Sequence, residues 1–176
     1  MQFDQTWSLF LDRDGVVNKR WVNDYVKSWS EFIFENHVLE AMITFSQIFG
    51  RIFIVTNQQG IAKGLMTIED LQHIHRQLIV EVKKAGGRID RIYFCPHAAQ
   101  EHCNCRKPKT GMALQAKADF PEVDFTKSVM VGDSPSDIEM GYTIGMKTVF
   151  IGLEHPPPHT HWQFANLKSF ADFSLC

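Results

Sequence analysis

The chain has 176 residues, 44% of them hydrophobic, which suffices for one well-buried core; nothing in it suggests two, so a single domain spanning 1–176 is expected. Eighteen Lys and Arg against twenty Asp and Glu give a formal net charge of −2, and no basic stripe is available to track a phosphate backbone, which argues against a nucleic-acid partner. No apolar run approaches the roughly 20 residues of a membrane helix, and Met1 to Trp7 lacks a basic segment followed by an apolar one, so a soluble, cytoplasmic monomer without a membrane partner is expected.

In chain order, Leu9, Phe10 and Leu11 predict a short buried strand that delivers Asp12 and Asp14 onto a turn closed by Gly15, with Val16 and Val17 beyond. A strand ending in acid-x-acid-Gly places both carboxylates at its carboxyl end, where open α/β sheets bind ligands. Asp and Gly are also ordinary turn formers, so the pair needs company before it means chemistry. Trp21 to Phe34 is aromatic without helical period and predicts an irregular, hairpin-like excursion beside the first strand. From His37 to Phe49, apolar residues recur every three or four positions, as one face of a helix requires. A second strand, Arg51 to Val55, runs into Thr56-Asn57-Gln58-Gln59-Gly60, where a hydroxyl and successive backbone N–H groups can meet phosphate oxygens.

Thr67 to Ala85 predicts an amphipathic helix capped by Thr67 with Asp70 and stopped by Gly86-Gly87. A third strand, Arg91 to Phe94, leads through a Cys-rich loop to Arg106, Lys107 and Pro108, just before a short helix from Gly111 to Asp119. Two cations ahead of a helix N-terminus oppose the helix dipole, a conflict that an incoming anion removes. A fourth strand, Ser128 to Val131, closes on Gly132-Asp133-Ser134-Pro135-Ser136-Asp137, whose acids suit a hard cation or a helix start. A helix from Ser136 to Gly145 and a strand from Lys147 to Ile151 follow, and beyond Gly152 the pattern fades. Three consecutive prolines force Glu154 to His161 to be extended, and its histidines, His155, His159 and His161, read as a polar surface loop. This alternation predicts an α/β, Rossmann-like parallel sheet with helices on both faces.

Three of the four cysteines, Cys95, Cys103 and Cys105, fall within eleven residues and the fourth is Cys176, a distribution that favours metal binding over a disulfide framework. With His97 they match a closed, tetrahedral, structural Zn²⁺ site. Free thiols and a Cys95 to Cys103 disulfide are the alternatives, while Cys103 and Cys105 are too close in sequence to bridge well. His102 competes with His97, which is preferred because Cys-x-His leaves the intervening loop free to close around the ion.

A sheet that ends successively in Asp-x-Asp, Thr, Lys and Asp gathers all of them at one edge. This ordered set resembles the haloacid dehalogenase (HAD) superfamily of phosphohydrolases, from about Leu9 to Gly152. The resemblance implies Asp12 as nucleophile, Asp14 as acid/base, and Thr56 and Lys107 as phosphate ligands. It also implies Mg²⁺ held by Asp12, the backbone carbonyl of Asp14 and Asp133, with Asp137 behind them, reaching the ion through bound water. The C-x-H and C-x-C-R-K-P phrases narrow the likeness to a branch holding heptose 1,7-bisphosphate 7-phosphatases and histidinol-phosphate phosphatases. About 41 residues separate Asp14 from Thr56 and about 50 separate Thr56 from Lys107, which ordinary elements already consume, so no large cap domain is expected.

Within that branch, the Thr56–Gly64 and Arg106–Met112 phrases resemble the heptose enzymes, in which the Arg before the catalytic Lys helps to recognise the second phosphate. The short zinc loop is typical of the histidinol-phosphate enzymes, which remain the alternative. Contacts to a small phosphorylated substrate are expected from Arg13, Asn57, Gln58, Gln59, Arg106 and Ser134. A polynucleotide 3′-phosphatase and a non-catalytic zinc module are remoter readings, since the first would carry a basic groove and the second needs no converging acids.

Overall fold

Leu9, Phe10 and Leu11 are all fully buried, yet they serve different layers: Leu9 and Leu11 pack into one apolar cluster and Phe10 into another. Side chains alternate across a strand, so a run that is apolar on both faces needs cover on both. The computed structural model describes residues 2–175, which leaves Cys176 outside the described residues.

Six strands, β1 (Ser8–Leu11), β2 (Arg51–Asn57), β3 (Arg91–Cys95), β4 (Ser128–Gly132), β5 (Lys147–Ile151) and β6 (Trp162–Phe164), form one parallel sheet in the order β3-β2-β1-β4-β5-β6. Helices α1 (Val38–Ile48), α2 (Ile68–Ala85) and α5 (Leu167–Phe173) cover one face, and α3 (Gly111–Asp119) and α4 (Pro135–Thr143) cover the other. This is the expected Rossmann-like arrangement, with no large cap. Among the described residues, no helix is long and apolar enough to cross a membrane.

The local signals act as read. The Thr67 hydroxyl accepts from the Asp70 N–H at 3.0 Å while Asp70 Oδ2 accepts from the Thr67 N–H at 2.9 Å, and Gly86 ends α2 with φ 97°, a conformation that suits glycine. The Trp21–Phe34 excursion contains a single 3-10 turn at Trp29–Glu31 and returns to the first turn through a bridge between Asn18 and Phe34. The end of the chain differs from expectation. After the proline loop it adds β6 beside β5 and then α5, where Phe170 meets Phe45 of α1 at a ring separation of 5.4 Å. A three-residue strand and a seven-residue helix are too short to display a period, and tertiary packing of Phe164 and Phe170 holds them instead. His161 Nδ1 accepts from the Thr148 N–H at 3.2 Å and His159 stacks on Tyr142 at 3.7 Å, so two of the three loop histidines tie the loop down.

Candidate active site

The site forms where the strand order reverses, between β1 and β4, the place at which open α/β sheets leave a crevice. Asp12 extends the β1 ladder by one bond, its N–H donating to the Val131 carbonyl at 2.9 Å. The chain then turns back tightly, with the N–H groups of Val17 and Asn18 on the Arg13 carbonyl at 2.8 and 3.0 Å. Gly15 stands at the apex with φ 97°, and a Cβ there would lie 1.9 Å from Asp133 Oδ2, so backbone conformation and the approach of β4's acid both require glycine.

Lys107 is the buried cation at the centre. Its Nζ is 2.6 Å from Asp12 Oδ1, 2.6 Å from Asp137 Oδ1 and 2.8 Å from the Val55 carbonyl. Burial works against the ammonium, but Asp12 and Asp137 outweigh it and hold Lys107 charged. Asp12, Asp133 and Asp137 offer carboxylate oxygens within 4.8 Å of one another. Burial first, and then the Asp137 charge, push the Asp12 carboxyl up to about 7 against the pull of Lys107. Burial likewise raises Asp133 to about 6, opposed by Arg20. Asp137 also accepts from the Ser134 hydroxyl at 2.6 Å, and Gly132 makes room for it, since a Cβ there would lie 2.1 Å from that of Asp137. Asp137 thus sits in direct ion-pair contact with Lys107, closer to the chemistry than the sequence suggested.

Asp14 faces a different environment. Its carboxylate accepts from Arg13 Nη2 at 2.9 Å, Asn18 Nδ2 at 2.9 Å and Gln58 Nε2 at 2.8 Å. Burial alone would raise its pKa, but the Arg13 charge and these donors prevail and keep the carboxyl below the usual range. Arg13 and Gln58, expected on the cleft wall, lie behind it. Arg13 is fully buried behind Asp14, with its Nη1 3.2 Å from His75 Nε2, and Gln58 is fully buried between Asp14 and Thr56 Oγ1 at 2.8 Å. Neither side chain reaches the cleft; both hold groups that do. Gln59 does not line the cleft either; its carbonyl accepts from the Lys63 N–H at 3.1 Å in the turn that follows β2.

The cleft itself encloses about 600 Å³ and has Asp12, Asp14, Thr56 and Lys107 at its floor. Asn57, Arg106 and Ser134 line its wall, as do Trp21, Tyr25 and Lys63, which the sequence did not single out. Asn18, His75 and Arg20 were also missed. Asn18 lies four residues after Asp14 in the same turn, the one signal that could have found it.

Two groups of side chains could hold metal. Arg20 Nη2 lies 2.8 Å from Asp133 Oδ1, 3.1 Å from the Asp14 carbonyl and 3.9 Å from Asp12 Oδ2, so these hard oxygens already converge on a positive charge and suit a magnesium ion. Near the end of β3, Cys95, His97, Cys103 and Cys105 cluster, with Cys105 Sγ 3.0 Å from Cys95 Sγ, 3.5 Å from Cys103 Sγ and 3.2 Å from His97 Nδ1. Ligands at about 2.3 Å around a tetrahedral zinc stand roughly 3.5–3.8 Å apart, so the knot is slightly contracted but of the right chemistry. His102 is not in the cluster, and the three thiols are free. Backbone N–H donation from Arg106 and the neighbouring thiols overcome burial to bring Cys103 down to about 6, while burial pushes the Cys95 and Cys105 thiols up.

An HAD-hydrolase-like family model matches residues 104–165. The D-glycero-alpha-D-manno-heptose-1,7-bisphosphate 7-phosphatase of Mycobacterium tuberculosis (strain ATCC 25618 / H37Rv) is 39% identical over 138 residues, 78% of this chain and 73% of that protein. The D-glycero-beta-D-manno-heptose-1,7-bisphosphate 7-phosphatase of Helicobacter pylori (strain J99 / ATCC 700824) is 34% identical over 169 residues, 94% of this chain and 95% of that protein. Among solved structures, the D,D-heptose 1,7-bisphosphate phosphatase from B. bronchiseptica, complexed with magnesium and phosphate, superposes with a TM-score of 0.87 at 30% identity, covering 96% of this chain and 98% of that one. Sequence and fold together place the chain in the HAD-like hydrolase superfamily, and it belongs to the branch of the heptose-1,7-bisphosphate 7-phosphatases.

Proposed function

We propose that this chain is a magnesium-dependent phosphatase that removes the 7-phosphate of a D-glycero-D-manno-heptose 1,7-bisphosphate through an aspartyl phosphate on Asp12. The observation that carries the reading is the buried Lys107 ammonium held 2.6 Å from Asp12 at the floor of a cleft that Asp14 and the buried Thr56 also line. The names and coverage of the relatives supply the substrate.

Phosphoryl transfer needs an in-line nucleophile, positive charge for the equatorial oxygens and a proton for the leaving alkoxide. The Asp12 carboxylate attacks phosphorus, the bond from phosphorus to the sugar oxygen breaks, and that oxygen takes the proton from Asp14. Water then attacks phosphorus and gives its proton to Asp14, while the bond to Asp12 breaks and inorganic phosphate leaves. Thr56 Oγ1 already accepts from Gln58, so its own hydrogen is free to donate to a phosphoryl oxygen. Lys107 shares its charge between Asp12 and the incoming phosphoryl group. The donors around Asp14 favour its ionised form, the one that receives the water proton; an arriving phosphate anion raises its proton affinity for the acid half-reaction. Magnesium held by Asp12, the Asp14 carbonyl and Asp133 would let an anionic carboxylate approach an anionic phosphate. Zinc at Cys95, His97, Cys103 and Cys105 would be structural, bracing the segment that enters Arg106 and Lys107.

Arg106 and Lys63 on the cleft wall fit a second phosphate, and Arg106 can bind it in bidentate fashion. Trp21 and Tyr25 give the same wall flat apolar faces for the sugar. Phosphate release measured side by side on heptose 1,7-bisphosphate and histidinol phosphate, with magnesium present, tests the reading. A dominant rate on the heptose is expected, and a dominant rate on histidinol phosphate overturns the substrate.

A further inference from the structure

All the polar contacts of the Arg20 guanidinium point to one place: Asp133 Oδ1 at 2.8 Å, the Asp14 carbonyl at 3.1 Å and Asp12 Oδ2 at 3.9 Å. We propose that Arg20 is the resident counter-cation of this oxygen triad and that a divalent metal binds there by displacing it. The inference rests on the triad being the metal site of the proposed function.

The exclusion follows from size and charge. A magnesium ion sits about 2.0–2.1 Å from its oxygens. A guanidinium nitrogen 2.8 Å from one of those oxygens and 3.1 Å from another leaves no room for both, and two cations at that separation repel. The rest of Arg20 is built to leave. Its side chain is 49% exposed, against 16% for Asp133 and 7% for Asp12, so only its tip is engaged. Arg20 lines both the 600 Å³ cleft and an adjoining cavity of about 660 Å³, giving the displaced tip space on either side. Asp12, Asp133 and Asp137 face only one buried ammonium, Lys107, so the cluster retains negative charge that Arg20 offsets until a metal does so. The next residues, Trp21, Asn23, Asp24 and Tyr25, form the cleft wall. Metal loading and the setting of that wall are therefore one equilibrium, and the metal works against the Arg20 contacts as it binds.

Magnesium and, separately, manganese are titrated calorimetrically into the purified full chain, dialysed free of both ions without chelator, for wild type, R20A, R20Q, K19A and D133N. Wild type binds one ion and D133N loses it. R20A and R20Q bind about 5- to 20-fold more tightly, and metal raises their melting temperatures more than it raises that of wild type. K19A removes the same charge one residue away without touching the triad and stays within about twofold of wild type. R20Q keeps the polar stem, and a cooperative melt shows that each variant is folded. Equal or weaker binding by both Arg20 variants, or an equal gain in K19A, overturns the displacement. A wild type that binds no metal, or a D133N that binds as wild type does, overturns instead the metal reading on which it stands.

Discussion

Asn57 and Lys107, fifty residues apart, clamp each other through both backbone groups of the lysine: Lys107 N–H donates to Asn57 Oδ1 at 3.0 Å and Asn57 Nδ2 donates to the Lys107 carbonyl at 3.2 Å. The end of β2 thereby fixes the backbone from which the Lys107 ammonium hangs. Replacing Asn57 by Ala leaves both backbone groups without these partners, at a cost of about 1–3 kcal/mol in stability. Turnover of N57A is expected to fall about tenfold or more, because the ammonium loses its fixed origin. Asn57→Asp keeps the acceptor but cannot donate to the carbonyl, so its stability should lie between Ala and wild type in urea unfolding. An N57A enzyme with wild-type turnover would remove the clamp from the mechanism.

Asp12 is costly to the fold, and it is the proposed nucleophile. Its folded-state pKa of about 7 lies above the ordinary 3.8, so between those values the native state binds more protons than the unfolded one, and stability falls as pH rises through the window. Asp12→Asn keeps the shape without the charge. It should reduce phosphate release by about a thousandfold or more. Measured without magnesium at pH 8, its melting temperature should exceed that of wild type. A lower melting temperature would mean that the pull of Lys107 outweighs burial at Asp12.

Much of this fold is legible in the sequence, for identifiable reasons. Buried parallel strands such as Ile52–Val55 are apolar on both faces, and α2 is long enough to display its period and both its caps. Asp12 and Asp133 could be found because they terminate such runs. Which way a side chain points was less accessible. Arg13 follows Asp12 directly, yet alternation along the backbone turns it away from the cleft and into the core beside His75. Gln58 is likewise a neighbour of Thr56 that faces inward. Arg20 reaches Asp133 across 113 residues, a contact created by the return of the excursion after β1 and unmarked by any local pattern.

The cysteine knot braces the approach to Lys107, since Arg106 Nη1 reaches back toward the His97 carbonyl at 3.5 Å and Gly111 N–H donates to the Asn104 carbonyl at 3.1 Å. Protein purified without chelator should contain about one zinc per chain, and Cys105→Ser should lose it. A loss of about 3 kcal/mol corresponds to a fall in melting temperature of roughly 6–12 °C for a chain of this size. Turnover should fall with it, because Arg106 and Lys107 leave the knot directly. Zinc-free wild type with full stability would exclude the assignment.

His75 gives the fold a specific acid sensitivity. It is 7% exposed on α2, 3.2 Å from Arg13 Nη1, and burial together with the Arg13 charge brings its pKa down to about 3. Arg13 can only donate, so His75 Nε2 must accept and the imidazole is neutral. Between about 3 and the ordinary 6.5 the unfolded chain binds the proton and the native state does not, so stability declines as pH falls through that window, by at most about 1.4 kcal/mol per pH unit. His75→Gln offers Arg13 an acceptor that does not titrate. Urea unfolding from pH 7 to pH 4 should therefore be shallower in its pH dependence for H75Q than for wild type, and Asp14, still held by Arg13, should leave the pH profile of turnover near neutrality little changed. His75→Phe removes the acceptor as well, loosening Arg13 and with it the carboxylate of Asp14, so turnover should fall in H75F while H75Q retains it. Equal acid slopes in wild type and H75Q would show that the imidazole is protonated in the native protein, and the Arg13 contact would then have to be broken in solution.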